Sequence, residues 1–332
     1  MRAGNIDNPI LPASFVCDSL KVCLILCRIR IPGILTSNRG EFFMTNSVYQ
    51  HWQPLIPASP IDLIDARLQS HHAFQVLACV AHHLMKPDSN DTHTSFEWDR
   101  PFEGLVSRPF GLHNELRLGF RLRQFALYIL TANHKIIDEL ILNEISIGEA
   151  LSWVEIRLED RGIDTGPYSL DRPYEIPQHP VEDGQPFNSV NTQVFQLLES
   201  YFANAALLLE EVREATVGAS KVRCWPHHFD IATQIVLEKS LKGEEGRFIG
   251  VGFSPGDESY SLPYFYVTPW PYPEREKSAL PNLESGGMWH TEGWVGAVLP
   301  ANQITRSGIE PQISQIRTFL QSSLELQRSL LR

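Results

Sequence analysis

An α+β fold with antiparallel sheets is predicted by three observations. Stretches with a 3.6-residue apolar period alternate with groups of short β-branched and aromatic segments, and the order helix, strands, helix occurs twice. The links between neighbouring strands are too short for parallel crossovers, so the strands are expected to meander antiparallel, with helices covering one face of each sheet. A segment containing Pro167, Pro173, Pro177, Pro180 and Pro186 has no periodicity and separates the two occurrences as a stiff crossover. The expected organisation is two helix, antiparallel meandering sheet and helix halves joined by a Pro-rich crossover: a leader over 1–43, an N-terminal α+β half over 44–162, the crossover over 163–190, and a C-terminal α+β half with an aromatic pocket over 191–332.

Each element has a local cause. Ser59-Pro60-Ile61-Asp62 supplies an N-cap serine, a proline at the first helical position and a carboxylate near the positive helix end, and Ala66, Ala73, Leu77, Val80 and Leu84 keep the helical spacing until Pro87. Strand character follows over 94–98, 115–122, 124–131 and 135–142, with Ala132-Asn133-His134 as a hairpin turn. Ser146-Ile147-Gly148-Glu149 is a capping box; Leu151, Val154 and Leu158 give its helix an apolar stripe, and Gly162 stops it. After the crossover, Val194, Leu198, Tyr201, Ala205, Leu208 and Val212 mark a long helix. Strands are expected at 222–225, 229–237, 247–253, 264–268 and 294–299, and a terminal helix after Ser307-Gly308-Ile309-Glu310-Pro311.

Composition narrows the function classes. With 43% hydrophobic and 20% charged residues the 332-residue chain is an ordinary globular mixture, and no apolar run is long enough to span a bilayer. A net charge of -11 repels a phosphate backbone, which speaks against a nucleic-acid partner. Residues 1–43 differ from the rest in holding Cys17, Cys23 and Cys27 and an excess of basic residues, and Met44 opens a segment that resembles a natural N-terminus, so 1–43 is expected to be a mobile leader or a mis-called start. Cys79 and Cys224 are far apart with no CxxC spacing, as in reduced cytoplasmic proteins. Oligomeric state is left open.

Four of the seven tryptophans (Trp225, Trp270, Trp289 and Trp294) lie between 225 and 294 with several tyrosines. Strand alternation through Trp225-Pro226-His227-His228-Phe229-Asp230 puts His228 and Asp230 on one face. In an extended Trp289-His290-Thr291-Glu292, His290 and Glu292 likewise share a face. Two such pairs converging across a sheet suit a divalent metal, zinc, iron(II) or manganese, with an open position for hydrolysis or oxygen chemistry. The expected metal ligands are His228, Asp230, His290 and Glu292. The expected small-ligand pocket comprises Trp225, His227, Asp230, Asp257, Tyr264, Tyr266, Trp289 and Trp294. The alternative is a non-enzymatic interaction or structural module in which the His and Asp side chains satisfy one another in an aromatic core. Whether the chain is an enzyme stays open.

Gly252-Phe253-Ser254-Pro255-Gly256 matches a nucleophile elbow, but Pro255 has no N–H for an oxyanion and the following residues form a turn, so a hairpin is the better account. The histidine pairs His71-His72 and His82-His83 lie about 16 Å apart on the first long helix by its rise per residue, too far for one metal.

Several short motifs together resemble those of an uncharacterised bacterial conserved-domain family, a domain of unknown function. They are Gly162-Ile163-Asp164, Glu175-Ile176-Pro177, Phe229-Asp230-Ile231-Ala232, similar to the family's Phe-Asp-Leu-Ala, and Gly252-Phe253-Ser254-Pro255-Gly256-Asp257, similar to its Gly-Phe-x-Pro-Gly-Asp. An aromatic strand with a Pro segment, Tyr264 to Pro273, completes the likeness. The resemblance names no activity; it implies a pocket centred on Asp230 and Asp257 rather than on histidines.

Overall fold

The computed structural model describes residues 46–55, 58–88, 91–163, 166, 168–239, 246–273 and 280–331. The leader expected over 1–43, with its three cysteines, lies outside the described residues, as do Asp164 and Pro167.

The chain is α+β, with two antiparallel sheets and helices against them. A short helix α1 (Asn46–His51) precedes α2 (Pro60–Leu84). The first sheet runs in simple chain order through β1 (Glu97–Asp99), β2 (Gly104–Val106), β3 (Leu116–Arg121), β4 (Ala126–Thr131) and β5 (Ile136–Ile141). Helix α3 (Ile147–Glu159), the Pro-rich crossover and α4 (Thr192–Ala215) follow. The second sheet contains β6 (Arg223–Trp225), β7 (Asp230–Glu238), β8 (Arg247–Ser254), β9 (Tyr264–Trp270), β10 (Met288–His290) and β11 (Gly296–Pro300), in the order β10-β11-β9-β8-β7-β6. Helix α5 (Ile309–Leu330) ends the fold.

The capping box at Ser146 forms in full, since its side chain accepts from Glu149 N while Glu149 accepts from Ser146 N. Pro60 opens α2 as its position predicts, although Ser59 makes no side-chain cap. Thr131 and Lys135 close the β4–β5 hairpin, with His134 left-handed at φ 62°. Sequence reasoning missed β2, which at three residues is too short to carry an alternation.

One hydrophobic core runs beneath both sheets. Alternate residues of the first sheet (Leu118, Phe120, Leu127, Ile129) and of the second (Ile231, Ile235, Val251, Phe253, Phe265, Val267) point into it, against α2, α4 and α5. The sheets meet at their edges, where Phe96 and Cys224 exchange two backbone hydrogen bonds of 3.0 and 2.7 Å. The opposite face differs between the sheets. In the first, Phe102, Val106, Ala126, Tyr128 and Leu130 build a small second cluster, with Arg121 over the Phe102 ring. In the second, the face away from the helices carries Asp230, Gly252 and Tyr264, which are buried, and Tyr266, Thr268 and His290, which are partly buried.

Candidate functional site

The polar centre of the second sheet is built by β7, β8 and β9. Ile231, Thr233 and Ile235 face the core, so Asp230 at the start of β7 faces the other way. Tyr266 lies opposite Gly252 on β8, and its ring crosses that glycine to donate a 2.5 Å hydrogen bond to Asp230 Oδ2. A Cβ at residue 252 would stand 2.5 Å from the Tyr266 hydroxyl, which is why the position needs glycine. Next to this pair, Tyr264 donates to Asp257 Oδ2, while Asp257 Oδ1 accepts from Tyr260 N at 2.8 Å. The two phenol rings are 6.1 Å apart. Two carboxyl–phenol pairs thus sit side by side at one end of the sheet.

Burial sets the electrostatics. It pushes the Asp230 carboxyl above the usual carboxylate range, with the nearby Asp257 charge adding to the effect and His228 opposing it. Burial and the adjoining carboxylates likewise raise the Tyr264 and Tyr266 phenols, so both stay protonated donors at neutral pH. Burial lowers His227 to about 3, which leaves it neutral.

The β6–β7 turn borders this centre. Phe229 closes it with a 2.8 Å bond from its N–H to Trp225 O, in a left-handed conformation (φ 54°) that costs a bulky residue energy. Burial of its ring offsets that cost: it stacks on His71 at 5.4 Å and packs against Phe74 and Phe202. The turn leaves His228 exposed and His227 partly buried, their rings 4.3 Å apart, with Trp225 and Tyr174 beside His227.

Helix α2 closes the end of the sheet with a polar stripe absent from the sequence expectation. Arg67, His71 and Gln75, spaced i, i+4, i+8, are 7%, 4% and 3% exposed. Arg67 Nη1 donates to Gly256 O at 2.6 Å, and the His71 Nε2 and Gln75 Nε2 groups both reach Pro226 O, at 2.8 and 2.7 Å. Burial holds His71 at about 3, so it is neutral and donates through Nε2. The recurrence of polar side chains at i, i+4 and i+8 along one stripe of a largely buried helix is the signal that would have found them.

Of the expected pocket residues, the structure joins Asp230 to Tyr266 and Asp257 to Tyr264, and places Trp225 and His227 at the neighbouring turn. Trp294 reaches the cluster indirectly, stacked at 4.3 Å on His290, which contacts Tyr260, which in turn packs on Tyr264. Trp289 is not with them: it lies opposite Ala297 on the core side, and its indole donates to Pro281 O at 2.7 Å. These residues also do not line the open clefts of about 760 and 290 Å³, which lie elsewhere, against α4 and the β1 region.

The metal expectation is corrected by strand order. β7 and β10 are separated by β8, β9 and β11, four strand spacings or about 19 Å along a flat sheet. Asp230 and His290 therefore do not meet at a common point. Residues 226–229 form a turn rather than an extension of β7, so the alternation expected to pair His228 with Asp230 does not hold. β10 ends at His290, and the exposed Glu292 offers His290 Nε2 its backbone oxygen at 2.6 Å, not its carboxylate. Among the described residues no group of three or more His, Cys, Asp or Glu side chains comes together as a metal site.

Among the described residues no helix is long and apolar enough to cross a membrane. No protein-family model matches the chain, and neither a curated protein nor a solved structure shows significant similarity to it.

Proposed function

We propose that the chain binds a small polar ligand at the end of the second sheet, between the Asp230–Tyr266 and Asp257–Tyr264 pairs and the β6–β7 turn. The observation that carries this reading is the Tyr266–Asp230 hydrogen bond, laid across Gly252 on the sheet face away from the core and partly exposed at Tyr266. A carboxyl raised by burial and a phenol beside it offer a donor and acceptors at a fixed spacing. The segments resembling the uncharacterised bacterial family are those that deliver Asp230 and Asp257 here. With no ligand set assembled among the described residues, their geometry lends no support to metal-dependent hydrolysis or oxygen chemistry.

One observation favours a second reading, a non-enzymatic interaction or structural module. Both oxygens of Asp257 and both ring nitrogens of His290 already have partners within the chain. The readings separate in a thermal-shift screen of the full chain against amino acids, sugars and their phosphorylated forms, run on wild type, Tyr266→Phe and Asp230→Asn. Saturable stabilisation of the wild type that is lost in a folded Tyr266→Phe variant supports binding. Variants that are merely less stable, with no compound stabilising the wild type, favour the structural module.

A further inference from the structure

Arg67 is a buried cation with no described carboxylate in contact with it; it feels the charge of Asp257 only through space. Its side chain is 7% exposed, its one hydrogen bond among the described residues is the 2.6 Å contact from Nη1 to Gly256 O, and its buried Nε has no partner. No ion pair within 4 Å joins it to any described acid. The reason lies in its surroundings. Asp257 follows directly on Gly256, but its two oxygens are taken by Tyr264 and by Tyr260 N. Asp230 is turned to Tyr266. His71, one helical turn along α2, is neutral and committed to Pro226 O. The position of Gly256 is itself fixed: φ is 120°, and a Cβ there would meet Ser261 O at 2.7 Å. The loop therefore holds one carbonyl against the guanidinium and turns its own carboxylate, Asp257, to other partners, so that no described anion is in contact with it.

A buried guanidinium with one carbonyl and no anion in contact is stabilised by an oxyanion that can reach it, because its desolvation is offset only by a charge held close. Arginine suits this role because its planar fork matches the oxygens of a phosphate or carboxylate.

We propose that Arg67 is an anion subsite, which takes the phosphate or carboxylate group of the ligand whose polar part rests at Asp230, Tyr266, Asp257 and Tyr264. It deepens the small-ligand reading above and rests on it. The ligand class is then a small polar molecule with one oxyanion end, held between the Ser254–Tyr264 loop, the β6–β7 turn and the polar stripe of α2.

The test is the thermal stability of the full chain at constant ionic strength in rising inorganic phosphate, acetate or chloride. Phosphate or acetate should raise the melting temperature saturably where chloride does not, and whichever acts names the oxyanion. Arg67→Gln should weaken that response at least tenfold, and Arg67→Lys should fall between. A chloride response equal to the others, or an unchanged response in Arg67→Gln, overturns the subsite. Should Arg67→Gln not fold, the side-chain Nε–H resonance of Arg67 in the wild type decides, since it must shift on phosphate or acetate addition and not with chloride. Neutral sugars that stabilise the wild type while neither oxyanion does would overturn the subsite alone. No response to any small polar molecule would overturn the reading beneath it as well.

Discussion

Tyr266 on β9 and Asp230 on β7 are hydrogen-bonded at 2.5 Å although β8 runs between them. The bond exists because Gly252, opposite Tyr266 in the β8–β9 register, has no side chain for the ring to clear. Gly252→Ala should therefore displace the ring, breaking the bond and costing about 1 to 3 kcal/mol as an overpacking substitution. Tyr266→Ala should remove most of that added cost, so the double variant is less destabilised than the sum of the singles. Urea unfolding of the four proteins measures this. Strict additivity would mean that the ring does not depend on the glycine.

Asp230→Asn should destabilise the fold by about 1 to 3 kcal/mol, because the amide keeps one acceptor for Tyr266 but loses the second oxygen that accepts from the Asp230 backbone N–H. The loss should vary with pH. Because burial raises the folded carboxyl above its unfolded value, the protonated form stabilises the wild type fully below the unfolded pKa, and that contribution is lost as pH rises through the folded one. The gap between wild type and Asp230→Asn should accordingly be widest in acid and narrow toward neutral pH. A gap that widens with rising pH would show an ionised, favourably paired Asp230.

What was legible in the sequence was local. The Ser146–Glu149 box, Pro60 at the start of α2 and the strand expected over 229–237 each depend on neighbours a few residues away, and each is present, the strand as β7. Asp230, Tyr264 and Tyr266 could be named for the same reason, as polar residues within aromatic strands, and Asp257 from the Gly-Phe-x-Pro-Gly-Asp likeness. Their pairing could not, because it follows from strand order and from the absence of one Cβ at Gly252. The metal expectation failed on the same ground, since chain proximity says nothing of the three strands between β7 and β10. The β6–β7 turn was misjudged as strand because a left-handed phenylalanine has no sequence signature, its energy being recovered only in the core under α2.

Ser254 should not act as a nucleophile despite its Gly-x-Ser-x-Gly setting. It ends β8 at 4% exposed, its Oγ accepts from Gly256 N at 3.1 Å, and residues 255–263 form a loop rather than a helix. Pro255 gives an oxyanion no N–H. A fluorophosphonate probe should leave the protein unlabelled; labelling abolished by Ser254→Ala would refute this.

His71 should make the fold sensitive to mild acid. Its imidazole is 4% exposed, stacked on Phe229, and held neutral at about 3 by burial, against 6.5 for the free group. A histidine whose folded value is depressed binds fewer protons folded than unfolded, so its contribution is fully present above pH 6.5 and is lost as pH falls from there toward 3. In that window the slope from one such group approaches 1.4 kcal/mol per pH unit, so a fall of roughly 1 kcal/mol is expected between pH 6.5 and 5.5. The Nε2 bond to Pro226 O can be kept without a titrating ring, because a glutamine amide also donates, as neighbouring Gln75 does to the same oxygen. His71→Gln should therefore lower stability at pH 7.5 through lost ring stacking, yet show a shallower decline between pH 6.5 and 5.5 than the wild type. Denaturant unfolding at several pH values across that window gives both numbers. An unchanged slope in His71→Gln would place the acid sensitivity elsewhere, with His227, also held at about 3, and then His72 and His93 as the next groups to replace.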